Sequence, residues 1–232
     1  MPSPDTIVRI PRDAVIEEAS PWWTGRPSGP LVFRDIFDPT IADTAVEELN
    51  ACRSWSSQYA IVDEAGVGSP TTLAGFRAAQ PRRRYYMCEV MSPDVLTATQ
   101  ACTRILKIMC DGWLTDVCAA LTGTELRRHP WMNVSRYRKG SFLGGHNDVH
   151  DDRVIGAIVY LNRPDHTAGA GGEFFLRAPS GDITWSAPLH NSLALFPFRE
   201  ELFHGVTPVK DPKFVRHAIG AHFMARTEDA HD

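Results

Sequence analysis

Hydrophobic and polar positions divide the chain into a helical first half and a strand-rich second half. Apolar residues follow helical spacing from Ile41 to Leu49, directly after Asp38-Pro39, a pair that is typical of a helix start. A second helical region begins at Ser92-Pro93, is interrupted at Asp111-Gly112, and ends before Gly123, a residue type common at helix C-terminal caps. These patterns predict helices in the first half of the chain.

After Gly123 the chain consists of short apolar runs separated by Gly, Pro and Asp, which is typical of strands in an all-β layer. The runs predict about eight strands, the number found in a jelly-roll. We therefore expect an α+β fold that is mostly β in its C-terminal half. Its core is predicted to be a double-stranded β-helix (jelly-roll) with supporting N-terminal helices.

The chain of 232 residues is predicted to form a single domain. Residues 1–30 are rich in Pro and turn formers and are predicted to be an irregular arm. The pair Trp22-Trp23 in this arm either anchors it to the body or forms part of a lid over a site. We expect residues 31–123 to be mainly helical support with a substrate-side loop at 56–80, and residues 124–225 to form the jelly-roll core.

Composition narrows the functional classes. The formal net charge of −4 argues against a protein that tracks nucleic-acid phosphates, so no nucleic-acid partner is expected. No apolar run approaches the ~18 residues of a membrane span, and the N-terminus has no apolar core of a signal peptide. The five cysteines show no CxxC spacing, which favours a reducing, cytoplasmic location over a disulfide framework. The oligomeric state has no signal in the sequence.

Two segments have the form His-x-Asp, namely His146-Asn147-Asp148 and His150-Asp151-Asp152. One such pair is close to chance, but on a strand residues i and i+2 share a face, so an imidazole and a carboxylate can bind one metal ion together. His204, at the start of a late strand, would complete a set of two histidines and one carboxylate that leaves positions open for substrate and oxygen. Arg216 lies inside the apolar run 214–223, where a cation is costly unless it meets an anion such as a carboxylate.

Taken in order, the motifs from about residue 131 to residue 224 resemble the iron(II)- and 2-oxoglutarate-dependent oxygenases, specifically the prolyl-4-hydroxylase-like branch. The string continues beyond the His-x-Asp pair and the distal histidine. Its other members are Tyr137-Arg-Lys-Gly140, Arg153, Val-Tyr160-Leu-Asn162, Gly171-Gly172-Glu173-Phe174, Leu195-Phe196-Pro197, Val206…Pro208-Val209 and Arg216.

The resemblance implies a role for each matching residue. His146, Asp148 and His204 would bind Fe(II), and Arg216 would hold the far carboxylate of 2-oxoglutarate. The hydroxyls of Tyr137 and Tyr160 are weaker candidates for contacts with the same co-substrate, because a Tyr on a sandwich strand is often core packing.

His146 and Asp148 are preferred over the second His-x-Asp pair. His146 follows Tyr137 at the family's spacing, whereas Asp152 directly precedes Arg153, where the next strand is expected to begin. The second pair would therefore fall in the connecting turn.

The resemblance implies an O2-dependent oxygenase that hydroxylates an unactivated C–H bond while 2-oxoglutarate is decarboxylated to succinate and CO2. The chain has no evident peptide-binding domain, so we expect a small-molecule substrate, either an amino acid or a natural-product intermediate. Arg84 and Tyr86 are candidate substrate contacts. The presence of Asp148 favours hydroxylation over halogenation, while desaturation, epoxidation and ring formation stay open.

Three alternatives remain. A peptidyl-prolyl hydroxylase of the same family is the nearest one. A non-catalytic, cupin-like metal-binding or sensor protein shares the jelly-roll, although cupins usually carry HxH followed by Glu. A zinc hydrolase would use His146 and His150 on one helix face, but Asn147 stands where the general-base Glu is needed.

Overall fold

The computed structural model describes residues 7–63, 67–91, 100–110, 112–128, 133–148, 152–163 and 169–226. Its helices are α1 (Arg12–Thr24), α2 (Pro39–Ala51), α3 (Leu73–Ala78), α4 (Gln100–Cys110) and α5 (Trp113–Thr122), with a short 3-10 helix at Pro81–Arg83.

The strands of the first half are β1 (Leu31–Arg34), β2 (Trp55–Val62), β3 (Gly68–Thr71) and β4 (Arg84–Met91). Those of the second half are β5 (Leu126–Arg128), β6 (Asn133–Tyr137), β7 (Phe142–His146), β8 (Arg153–Tyr160), β9 (Phe174–Arg177), β10 (Ile183–Ser186), β11 (Ser192–Pro197), β12 (Phe203–Val206) and β13 (Arg216–Ala225).

Local signals account for the ends of two predicted helices. The Asp38 carboxylate accepts a hydrogen bond from the Thr40 amide at 2.9 Å, which caps α2 as the sequence predicted. Gly123 has a left-handed backbone with φ of 65° and caps the C-terminus of α5. Residues 92–99 of the predicted second helical region, and Asp111, lie outside the described residues.

Two parts of the predicted domain plan are wrong. Residues 1–30 are not an irregular arm throughout, because α1 occupies Arg12–Thr24 and includes Pro21. The predicted loop at 56–80 is the β2–β3 hairpin followed by α3. Residues 31–123 therefore contribute strands as well as helices.

The strands form a nearly closed, antiparallel, two-layered barrel of the jelly-roll type, as predicted from the sequence. One layer has the order β11-β8-β13-β6, and the other has the order β7-β12-β9-β10. Strand β4 pairs with both β6 and β7, so it joins the layers along one side. No described helix is long and apolar enough to cross a membrane.

The main hydrophobic core lies between the helices and the first layer, and strand alternation decides which side chains enter it. Val159 on β8 and Ile219 on β13 face this core together with residues of α2, α4 and α5. Their neighbours Tyr160 and Ala218 face the opposite side, into the space between the two layers. That space contains the candidate site.

The Trp22-Trp23 pair packs against the main core as part of α1. The indole N–H of Trp22 donates to the Gly29 carbonyl at 3.0 Å. Neither ring lines the cavities described below, so both act as anchors rather than as a lid.

Candidate active site

Two neighbouring strands bring the three candidate metal ligands together. His146 is the last residue of β7 and is the direct cross-strand partner of His204 on β12. Their imidazole rings lie 4.2 Å apart between centroids, which cross-strand pairing makes possible. Asp148 lies two residues beyond the end of β7. The sequence pattern had instead predicted that it lies on the strand itself.

The donor atoms of these residues converge on one point. The Oδ2 atom of Asp148 lies 3.5 Å from His146 Nε2 and 3.6 Å from His204 Nε2. One ligand atom from each residue lies within 4.8 Å of the others. Two imidazole nitrogens and one carboxylate oxygen this close together are the donor set of a facial metal site.

Both histidines are prepared to bind through Nε2. The Nδ1 atom of His146 lies 3.0 Å from the Gly144 carbonyl, so it carries the proton and leaves the Nε2 lone pair free. Burial lowers the pKa of His204 to about 4, so its ring is neutral at physiological pH. Burial alone would raise the pKa of Asp148, but hydrogen bonds and charge interactions with the two histidines hold it well below its usual range.

Arg153 is a site residue whose contact the sequence analysis missed. Its Nη1 atom lies 2.6 Å from Asp148 Oδ2, and its side chain is only 11% exposed. The guanidinium also lies over the Phe198 ring, 5.9 Å from the centroid. In the sequence, the signal for this contact is the position of Arg153 at the start of the strand after the His-x-Asp pair. That position entered the sequence analysis only as part of the family resemblance.

An inner cavity of about 360 Å³ joins the three donors to Arg216. Strand alternation on β13 explains the arrangement, because alternate residues of this strand line the cavity while those between them enter the main core. The lining residues of β13 are Arg216, Ala218, Gly220 and His222.

Arg216 is 2% exposed and has no ion-pair partner among the described residues. Its guanidinium carbon lies 4.7 Å from the centroid of the Tyr137 ring and 5.1 Å from that of Tyr160. Its Nε atom is buried without a hydrogen-bond partner among the described atoms. A buried cation of this kind calls for an anion from outside the chain.

The two tyrosines beside Arg216 differ in position. Tyr137 lines the inner cavity, whereas Tyr160 is fully buried and is not among the lining residues. Burial raises the pKa of both hydroxyls, so both carry their protons. The Tyr160 hydroxyl has no hydrogen-bond partner of good geometry among the described residues. Asn133 lines the same cavity.

Two consecutive glycines form the wall behind Arg216. Gly171 and Gly172 have φ of 82° and 79°, a region that side chains rarely adopt. A Cβ on Gly171 would lie 2.0 Å from the Pro208 carbonyl oxygen, and one on Gly172 would lie 3.3 Å from Arg216 Cδ. The Gly-Gly step therefore lets the backbone approach the arginine closely.

A larger outer groove of about 840 Å³ opens onto the metal ligands from the side of the β2–β3 hairpin. Tyr85 and Tyr86 line both the groove and the inner cavity, as do His146 and Asp148. The groove therefore connects the surface with the three donors.

The structure brings Tyr86 to this junction but does not bring Arg84 there. The guanidinium of Arg84 donates to the carbonyls of Phe76, Arg77 and Ala79 at the end of α3, at 3.0, 2.8 and 3.2 Å. Arg84 lines neither cavity. The structure therefore gives no support to Arg84 as a substrate contact, because its guanidinium already donates to backbone carbonyls. His150 and Asp151 of the second His-x-Asp pair lie outside the described residues.

Within the described residues, the fold and the convergent donors define a jelly-roll protein with one candidate metal site. Residues 132–224 match the model of the 2OG-Fe(II) oxygenase superfamily. This match covers the jelly-roll core and identifies it as a 2OG-Fe(II) oxygenase domain, the kind of domain that supports a dioxygenase using Fe(II), 2-oxoglutarate and O2. The resemblance seen in the sequence is thereby confirmed, and the cupin-like and zinc-hydrolase alternatives gain no support.

Solved structures of similar fold include oxygenases of several activities. A Pseudomonas putida prolyl-4-hydroxylase is 18% identical, with 97% of this chain and 98% of that chain covered and a TM-score of 0.57. A Trichoplax adhaerens prolyl hydroxylase, solved with a peptide fragment of hypoxia inducible factor, is 16% identical, with coverages of 92% and 89% and a TM-score of 0.57. The α-ketoglutarate-dependent epimerase SnoN from nogalamycin biosynthesis is 12% identical, with coverages of 93% and 82% and a TM-score of 0.59. No curated protein matches the sequence.

Proposed function

We propose that the protein hydroxylates an unactivated C–H bond of a small molecule, an amino acid or a natural-product intermediate, with coupled decarboxylation of 2-oxoglutarate to succinate and CO2. One observation carries the proposal. The convergent atoms of His146, Asp148 and His204 lie at one part of the inner cavity, and its other part contains Arg216, which is buried and has no ion-pair partner among the described residues. We also propose that the chain forms one catalytic domain.

The three donors suit Fe(II). Neutral imidazole and carboxylate are the ligand types of the facial triad that leaves open positions on iron. The contact of His146 Nδ1 with the Gly144 carbonyl fixes the ring so that Nε2 faces the metal position. In the proposal, His146, Asp148 and His204 hold the ion.

Arg216 suits 2-oxoglutarate. Its planar guanidinium can bind a carboxylate through two parallel hydrogen bonds, and burial removes the competition of water. Tyr137 lines the same cavity and keeps its proton, so its hydroxyl can donate to the same ligand. In the proposal, Arg216 and Tyr137 would hold a carboxylate of the co-substrate.

The bound iron and co-substrate supply the oxidising chemistry when oxygen is present. The chain orients both of them and excludes water: Phe174, Phe196 and Phe198 pack around His204, with ring centroids 5.9, 5.4 and 5.6 Å away. This apolar surround protects the reacting centre from side reactions with solvent.

The outer groove supports a small-molecule substrate. Its volume of about 840 Å³ lies within the ~300–1,000 Å³ range of ligand pockets. The prolyl hydroxylases of similar structure are 16% and 18% identical, a likeness that shows the shared fold and does not assign their substrate to this chain.

Isotope-labelled oxygen gas tests the proposal without knowledge of the substrate. Protein supplied with Fe(II), 2-oxoglutarate and labelled O2 is expected to release succinate that carries one labelled oxygen atom. The His204→Ala variant is expected to release none above the level of free iron. Unlabelled succinate alone, or equal release by both proteins, would overturn the proposal.

A further inference from the structure

The two connected cavities differ in charge. The inner cavity is lined by Arg153 and Arg216, whereas the described lining of the outer groove contains no lysine or arginine. No residue outside the described ranges is a lysine or an arginine either, so these segments do not add such a cation to the groove. Anion-binding groups are therefore separated from the surface that meets the substrate.

Arginines that border the groove are held in other contacts. Arg83 donates from Nε to the Val62 carbonyl at 2.9 Å, and Arg84 donates to the three carbonyls at the end of α3. The guanidinium of Arg177 lies over the Phe203 ring, 5.0 Å from its centroid. Among the described residues, a substrate carboxylate in the groove would therefore have no lysine or arginine as a dedicated partner.

The groove offers neutral groups in place of cations. Directly opposed residues of antiparallel strands share a face, so Gln58 and Ala60 on β2 face the same side as their β4 partners Cys88 and Tyr86. On β3, Pro70 is the partner of Ala60 and extends this face. The surface thus combines an amide and a phenol with aliphatic groups.

We propose that the groove selects an uncharged substrate and excludes carboxylates, so that the only anion the site accepts is the co-substrate. This inference rests on the proposed function, and it favours an uncharged intermediate over a free amino acid. The physical reason is that a carboxylate would lose hydration in the groove without gaining a counter-ion, while the Arg216 charge is already paired with 2-oxoglutarate. An amide or hydroxyl loses less and can bond to the groove's own neutral polar groups.

Matched pairs of small molecules test the proposal. The mixture contains primary carboxamides and the corresponding carboxylates on the same aromatic, alicyclic and capped amino-acid scaffolds. Equilibrium dialysis against protein loaded with Mn(II) and 2-oxoglutarate measures which members are retained. We expect the carboxamide of a retained pair to bind about tenfold more tightly than its carboxylate.

Two variants place the effect in the groove. Gln58→Arg adds a cation on the groove face and is expected to shift retention toward the carboxylates. Gln80→Arg makes the same change at an exposed residue that does not line the groove, and it is expected to leave the preference of the wild type unchanged.

Each outcome has one meaning. Retention of no member, a carboxylate preference in the wild type, or equal preference in wild type and Gln58→Arg would overturn the inference. Retention of radiolabelled 2-oxoglutarate in the same dialysis is measured separately. If 2-oxoglutarate is not retained, the proposed function itself fails; if it is retained without a preference for uncharged members, only the inference fails.

Discussion

Asp148 contacts three other polar side chains of the site. Its carboxylate lies beside two imidazoles and accepts a hydrogen bond from Arg153 at 2.6 Å. In the metal-free protein Arg153 is the cation that compensates this partly buried carboxylate. A bound divalent ion would take over part of that compensation.

Replacing Arg153 with Met should therefore destabilise the metal-free protein more than the metal-bound protein. We expect a loss of roughly 2 kcal/mol in the free energy of unfolding without metal, because a charged hydrogen bond is removed from a partly buried acceptor. Addition of Mn(II) under anaerobic conditions should reduce the loss. Denaturant unfolding with and without Mn(II) measures both values.

Arg226→Met is the matched control, because Arg226 makes a 2.6 Å ion pair with Glu125 at the surface. It should cost less than about 1 kcal/mol under either condition. An equal loss for Arg153→Met with and without metal would contradict this account. It would show that Arg153 acts by packing on Phe198 instead.

At the residue scale the sequence was informative where a chemical requirement is local. His146 and Asp148 stand in one short motif, and Arg216 stands out as a cation in an apolar run. The contacts of Arg84 were missed because its partners are backbone carbonyls of α3, which leave no mark in the pattern of side chains. The contact of Arg153 was missed because it depends on the position of β8 relative to Asp148 in three dimensions.

At the scale of elements, continuous apolar runs were the dependable signal of buried strands. Strands β8 and β13 are buried over most of their length and were recognised as apolar runs. Strand β2 has three exposed residues in succession, and β3 consists of Gly, Ser, Pro and Thr, so neither shows the period of a half-buried strand. Helix α1 was missed because Pro21 and the Pro-rich flanks favoured a loop.

The Gly171-Gly172 element provides a test of how closely the backbone must approach Arg216. Gly172→Ala would combine the cost of a positive φ with contacts of 3.2–3.3 Å to Val209, Phe214 and Arg216. We expect it to lower the free energy of unfolding by about 1–3 kcal/mol and to weaken 2-oxoglutarate binding. Thermal unfolding and calorimetric titration of the co-substrate measure the two effects.

Gly181→Ala separates crowding from backbone strain. Gly181 has φ of 89°, and its added Cβ would have no neighbour within 4 Å. The control should share the backbone penalty but leave 2-oxoglutarate affinity unchanged. Equal affinities in both variants would contradict the role assigned to Gly172.

At the scale of the whole molecule, stability should depend on pH through a buried histidine away from the metal ligands. His217 is 1% exposed and packs near Trp55, with ring centroids 5.8 Å apart. Burial lowers its pKa from 6.5 to about 3. Below pH 6.5 His217 binds a proton in the unfolded chain but not in the folded protein. The free energy of unfolding therefore falls as the pH falls.

From this group alone we expect the protein to be about 2 kcal/mol less stable at pH 5 than at pH 7. Chemical unfolding at the two pH values measures the difference. His217→Phe should reduce it by that amount. An unchanged pH dependence in His217→Phe would contradict the assignment.

Both layers of the barrel and the N-terminal strands contribute to the proposed site for Fe(II) and 2-oxoglutarate, so its function belongs to the whole molecule. An anaerobic titration of metal-free protein with Fe(II) and then 2-oxoglutarate tests it most directly. We predict the weak visible charge-transfer band of an iron–2-oxoglutarate chelate, lost in His146→Ala and requiring far more 2-oxoglutarate in Arg216→Ala. Absence of the band while iron is shown to be bound would contradict the account.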